Sequence, residues 1–130
     1  MATAGPLLKV VIIEDSLLLR QTLGAVLGEV AGVAVVGGAD DEGAAIELLR
    51  SQRPHLAIVD LQLRTGSGLG VLRALAVNPD EFGHPRAVIF SHHGQAAVRE
   101  RCLALGADGF FDKATQFNDL LAYVRRAVPS

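Results

Sequence analysis

Short apolar runs alternate along this chain with longer segments whose apolar residues recur every three or four positions. Leu8–Glu14 is a Val- and Ile-rich run ending in acid, the pattern of a strand buried on both faces. Leu19, Leu23, Val26, Leu27 and Val30 then recur at helical spacing over Ser16–Val30, with Asp15 or Ser16 able to cap the helix through a short side-chain oxygen. Val33–Val36 predicts a second strand closed by Gly37-Gly38, and Asp41–Gln52 a helix with Ala45, Ile46 and Leu49 on one face, stopped by Pro54. His55–Asp60 predicts a third strand, again running into acid; a loop over Gln62–Gly66 and a helix from about Ser67 to Val77 follow. After a turn region at Asn78–Pro85 come a strand over Arg86–Ser91 and a helix over Gln95–Leu105, ended by Gly106. Asp108–Asp112 predicts the fifth strand, and Gln116–Val128 the last helix, with Phe117, Leu120, Leu121 and Val124 facing inward.

Strand–helix alternation with short connections predicts a parallel sheet covered by helices on both faces. Five such units fit a flavodoxin-like (βα)5 doubly wound α/β fold with strand order 2-1-3-4-5. No repeat or linker interrupts them, so residues 1–130 are expected to form one domain with its core at about 8–128. In this winding strands one and three are neighbours, and ligands bind beyond the carboxyl ends of the strands.

Composition narrows the function. About half the chain is apolar and a fifth charged, a globular balance. A net charge of −2 without a Lys/Arg run speaks against nucleic-acid binding. The single Cys102 excludes an intramolecular disulfide and a cysteine-based zinc site. The longest apolar stretches are of strand length, and Met1 to Pro6 lack the features of a signal peptide. A cytoplasmic location without membrane contact is expected.

The acids carry the candidate chemistry. Glu14-Asp15 ends strand one and Asp60 ends strand three, roughly 5 Å apart across the predicted sheet. Two like charges at 4 Å repel by about 4 kcal/mol at an effective dielectric near 20, so the cluster calls for a cation. All-oxygen ligands with room for water suit Mg²⁺. Lys113 follows strand five and Ser91 ends strand four, bringing an ammonium and a hydroxyl to the same rim. Asp60 is placed to attack phosphorus, with the metal and Lys113 neutralising the transferring group and Ser91 donating to one of its oxygens. Taken singly, each residue has an ordinary role as a cap, a solvated surface group or a local backbone partner. Their shared position at successive strand ends favours one site.

Val10-Val11-Ile12-Ile13-Glu14-Asp15, Ile58-Val59-Asp60-Leu61, Val88-Ile89-Phe90-Ser91 and Gly106-Ala107-Asp108-Gly109-Phe110-Phe111-Asp112-Lys113 together resemble the receiver domain of bacterial two-component response regulators, from Lys9 to about Ala127. Gly68, eight residues past Asp60, stands where that family opens helix three. The resemblance implies Asp60 as phospho-acceptor, Asp15 as a direct Mg²⁺ ligand, Glu14 acting through water, and the Gln62 carbonyl as a further ligand. It implies Ser91 and Phe110 as switch residues and Lys113 as the partner of the phosphoryl group. Gln62 and His93 would tune dephosphorylation. A histidine kinase or phosphotransfer protein would supply the phosphoryl group, and the surface of helix four, strand five and helix five would report it to a protein target. Such a domain is a carrier, not an enzyme acting on outside substrates.

Three positions depart from the family pattern: Ala114 and Arg64 stand where proline is frequent, and His92 where a small residue is usual. The imidazole of His92 is expected to crowd the phosphoryl pocket, whereas a metal role for His92-His93 is disfavoured because adjacent loop residues point apart. Gly66-Ser67-Gly68-Leu69-Gly70 does not make a dinucleotide site: it follows strand three, and the turn after strand one is acidic. A phosphatase with an Asp nucleophile would have an acid where Gln62 stands. That phosphatase and a pseudo-receiver that binds partners without phosphorylation are the alternatives. The start at Met1 and the stop shortly after helix five suggest a stand-alone receiver; a domain excised from a larger regulator with an output module is the other possibility. Leu17, Leu18 and Leu19 on helix one are a candidate kinase-docking face, the plain alternative being that Leu19 is core and the others are exposed by chance.

Overall fold

A computed structural model describes residues 7–92 and 95–129. The chain alternates β1 (Leu8–Ile13), α1 (Leu17–Gly28), β2 (Val33–Ala39), α2 (Glu42–Gln52), β3 (Leu56–Val59), α3 (Gly68–Val77), β4 (Arg86–Ser91), α4 (Ala96–Ala104), β5 (Gly109–Asp112) and α5 (Phe117–Ala127). A short 3₁₀ turn, Pro79–Phe82, lies between α3 and β4. The five strands are parallel, in the order β2-β1-β3-β4-β5.

The two-residue period of a strand explains the layers. Val11, Ile13, Ala57, Val59, Ala87 and Ile89 face α2, α3 and α4, where Ala45, Leu49, Val71, Leu72 and Cys102 complete one core. The intervening Val10, Ile12, Leu56, Ile58, Val88 and Phe90 face α1 and α5, meeting Leu23, Leu27, Leu120, Leu121 and Val124. Strands that must be apolar on both faces read as unbroken hydrophobic runs. The expected core side of α5 is largely found: Leu120, Leu121 and Val124 are buried, and Phe117 is half-buried against Phe90.

Helix starts follow local chemistry. Ser16, Asp41 and Ser67 have extended backbones, and each side chain accepts a hydrogen bond from an N–H three residues on. Gly106, at φ +100°, supplies the left-handed turn after α4.

Strand β2 differs from its expected end at Val36. It runs through Gly37-Gly38 to Ala39, and its register against β1 shifts between Val10 and Val11. The glycines are strand residues here because neighbours occupy their side-chain space: a Cβ on Gly37 would lie 2.7 Å from Leu48 Cδ1, and one on Gly38 2.9 Å from Arg20 Cδ. The extension carries β2 to the carboxyl-end rim of the sheet, where the Ala39 carbonyl accepts from the Glu14 N–H at 2.9 Å.

Candidate functional site

The ends of β1, β3, β4 and β5 converge on one rim. Glu14 and Asp60 each follow the last residue of a strand, and the Asp60 N–H donates to the Ile13 carbonyl at 2.8 Å, fixing the two ends side by side. Glu14, Asp15 and Asp60 each offer a carboxylate oxygen within 4.8 Å of the others. Glu14 and Asp60 are buried, whereas Asp15 is exposed.

Lys113 reaches this cluster from the far side of the sheet. Its Nζ lies 2.7 Å from Glu14 Oε1 and 2.8 Å from Asp60 Oδ2, and its backbone N–H donates to the Ser91 carbonyl at 3.0 Å. Burial pulls the ammonium toward neutrality, but the two carboxylates outweigh it and raise its pKa above the ordinary lysine value. For Glu14, burial is the largest influence and raises the carboxyl pKa despite the pairing with Lys113 and the Ser16 N–H. One ammonium thus faces three acids, and the pocket keeps an excess of negative charge when all three are ionised. Arg20 ties the strand end down from outside, donating to the Glu14 carbonyl at 2.7 Å.

Ser91 is fully buried at the end of β4, and its hydroxyl has no hydrogen-bond partner among the described residues. An unpartnered buried hydroxyl costs about 1–3 kcal/mol, so an acceptor for it would be stabilising. The donor set of this rim fits Mg²⁺ and an anionic group together: hard carboxylate oxygens for the cation, and the Ser91 hydroxyl and Lys113 for the anion.

Past Asp60 the chain turns sharply. The Gln62 N–H donates to Asp60 Oδ1 at 3.3 Å, and Gln62 forms an isolated bridge with Ser67. Gly68 begins α3, as the family spacing implies, and a Cβ there would lie 2.4 Å from the Asp60 carbonyl oxygen. Phe110 is buried in the α2–α3–α4 core with the Arg99 guanidinium 5.4 Å from its ring centroid. His92, expected to crowd the pocket, is exposed, and His93 lies outside the described residues.

Ala114, which stands where proline is frequent in the family, is held by hydrogen bonds. The N–H that a proline would lack donates to Asp112 Oδ1 at 2.7 Å, while Gln116 Oε1 accepts from the Asp112 N–H at 2.9 Å. A side-chain-closed turn thus holds the loop carrying Lys113.

The family model described as the response regulator receiver domain matches residues 10–125. This chain belongs to that family. The receiver is 36% identical over 108 residues to a protein-glutamate methylesterase/protein-glutamine glutaminase from Anaeromyxobacter dehalogenans, a match covering 81% of the receiver and 28% of the relative. Among solved structures, it resembles the signal receiver domain of NarL from Mycobacterium tuberculosis at TM-score 0.79 and 28% identity, covering 93% of this chain and 98% of that one. The response regulator domain of CheB from Thermotoga maritima shares the fold at TM-score 0.82 and 21% identity, with 94% and 96% covered. The first two curated relatives are longer proteins, of which the chain spans 28% and 54%. Among the described residues, no helix is long and apolar enough to cross a membrane.

Proposed function

We propose that the receiver takes a phosphoryl group onto Asp60 and relays it as a change in its α4–β5–α5 surface. The observation that carries this reading is the unpartnered Ser91 hydroxyl at the end of β4, the strand lying between those that lead into Asp60 and Lys113. A purely structural ion pair gives no reason to retain a buried hydroxyl without an acceptor; a phosphoryl oxygen supplies one.

In the transfer, a carboxylate oxygen of Asp60 forms a bond to phosphorus as the bond from phosphorus to the donor's leaving group breaks. The product is an acyl phosphate, which water returns to carboxylate and inorganic phosphate. Lys113 stays protonated and pairs with the arriving charge, and Ser91 donates its hydroxyl proton in a hydrogen bond to a phosphoryl oxygen. Glu14, Asp15, Asp60 and the Gln62 carbonyl would hold Mg²⁺, which would supply neutralising charge to the phosphoryl oxygens. Gln62 and His93 would tune the return to the free carboxylate. Asp60 is therefore a carrier, not a turnover catalyst for outside substrates.

Phe110 is buried in the core, so any part it takes in switching would be through packing alone, on which a hydroxyl drawn toward the phosphoryl group would act. The donor would be a histidine kinase or phosphotransfer protein in the cytoplasm. The receiver of the signal would be a protein target or an output domain, consistent with the greater length of the relatives.

The test is intact mass after incubation with acetyl phosphate and Mg²⁺, beside Asp60→Asn. One added phosphoryl group in the wild type alone is the expected result. Equal labelling of both proteins would refute Asp60 as the acceptor. No labelling of a wild type that binds Mg²⁺ and also resists a kinase donor would favour a pseudo-receiver.

A further inference from the structure

A capping box at a helix start has two halves: the N-cap side chain accepts from the N–H three residues on, and an acid or amide at that third position reaches back to the N-cap N–H. Helix α3 has only the first half in its own sequence. Ser67 Oγ accepts from the Gly70 N–H at 3.2 Å, but Gly70 has no side chain to return the bond. The missing half comes from another helix. Glu42 Oε1 accepts the Ser67 N–H at 3.0 Å across 25 residues of sequence.

The slot for that carboxylate is made by glycines. A Cβ on Gly70 would lie 2.1 Å from Glu42 Oε1, and one on Gly66, which sits at φ +77°, 2.5 Å from Glu42 Cβ. Glu42 is free for this task because α2 is already capped by Asp41, whose Oδ1 accepts from the Ala44 N–H at 2.7 Å. The same corner grips the loop at two more points: the Glu42 N–H donates to the Thr65 carbonyl, and the Arg64 N–H to the Asp40 carbonyl, each at 2.9 Å.

We infer that Glu42 is a positioning residue for the acidic pocket, completing the cap of α3 from outside and thereby setting the loop that carries Gln62. The path is short. Glu42 holds Ser67; Ser67 bridges to Gln62; and the Gln62 N–H is bonded to Asp60. The inference rests on the reading of this pocket as a Mg²⁺ and phosphoryl site, and it assigns to Glu42 the job of preorganising the pocket's loop side. Groups one step behind a metal ligand commonly change affinity by about 10- to 100-fold, and Glu42 acts one step further back.

The experiment is calorimetric titration of Mg²⁺ into wild type, Glu42→Ala, Glu42→Gln and the double variant Glu42→Ala/Gly70→Glu, with the Ser67 amide followed by NMR. Glu42→Ala is expected to weaken Mg²⁺ binding by about threefold to tenfold and to shift the Ser67 amide resonance. Glu42→Gln keeps an acceptor for the same N–H and should stay close to wild type. The double variant moves the carboxylate to the position where a capping box normally carries it, and should recover affinity. If Glu42→Ala lowers thermal stability while Mg²⁺ affinity is unchanged, or if a folded double variant binds as weakly as Glu42→Ala, the positioning role is wrong. Should Glu42→Ala fail to fold, the double variant and Glu42→Gln decide the question on the same terms. A wild type that does not bind Mg²⁺ overturns the pocket reading and this inference with it.

Discussion

One substitution made at two glycines should have opposite signs. At Gly68, an added Cβ would stand 2.4 Å from the Asp60 carbonyl oxygen and 3.0 Å from both the Asp60 carbonyl carbon and Leu61 Cα. All three are backbone atoms, so no flexible side-chain end can move aside. Overpacking of this kind costs about 1–3 kcal/mol and occasionally more. The ~1 kcal/mol propensity gain of Ala over Gly belongs to helix interiors, and Gly68 is the first residue of α3, so little of it offsets the strain and Gly68→Ala should be about 1–3 kcal/mol less stable. At Gly28, the last residue of α1, an added Cβ would meet nothing within 4 Å. There the propensity gain stands alone, and Gly28→Ala should be about 0.5–1 kcal/mol more stable. Urea unfolding, with slopes checked for equality, measures both differences. Because the strain at Gly68 falls on the carbonyl of Asp60 itself, its alanine variant should also lose phosphoryl uptake from acetyl phosphate, and Gly28→Ala should not. A Gly68→Ala protein as stable as wild type would refute the close-approach argument.

Asp60→Asn should be more stable than wild type in metal-free buffer, by about 1–3 kcal/mol, because it leaves one fewer carboxylate facing the single ammonium of Lys113; Mg²⁺ should close the gap by stabilising wild type preferentially, and a variant less stable than metal-free wild type would count against the charge argument. Tyr123, the sole tyrosine, has its pKa pushed up to about 12, first by burial and then by its bond to Asp108. The unfolded chain ionises first, near the ordinary value of 10, so this contribution to stability is whole below about pH 10 and is lost as pH rises toward 12. Absorbance at the tyrosinate band should give a folded-state midpoint well above that in urea, and Asp108→Asn should bring it down. Leu18 is 75% exposed beside the acids, and Leu18→Glu should slow transfer from a kinase donor more than labelling by acetyl phosphate; equal slowing would argue against docking at that face.

The site residues were legible because strand ends are legible: an apolar run that stops at Glu14, Asp60 or Ser91 places that residue on the rim once the winding is known. The glycines of β2 were not. Gly37-Gly38 carries the signature of a turn, and only the packing of Leu48 and Arg20 over it makes it a strand. Glu42 was invisible for a related reason. Its partner Ser67 lies 25 residues away, and the glycines that make room for it read as loop composition. Ala114 reads as the loss of a constraining proline, yet its N–H gives the loop a different constraint. Local periodicity reports what a segment buries; it carries no record of which distant side chain fills a space.

The ion pair between Lys113 and Asp60 spans 53 residues, and the one with Glu14 spans more. On a ribosome, the acids of β1 and β3 emerge long before β5 and the lysine that follows it. A nascent chain lacking β5 and the residues just after it carries Asp60 with neither the Lys113 ammonium nor the Lys113 N–H that binds the Ser91 carbonyl. Under the proposed function, competence to take a phosphoryl group would be acquired in one step, when β5 and Lys113 join the sheet, so a chain made only as far as β4 would not draw phosphoryl groups away from finished molecules.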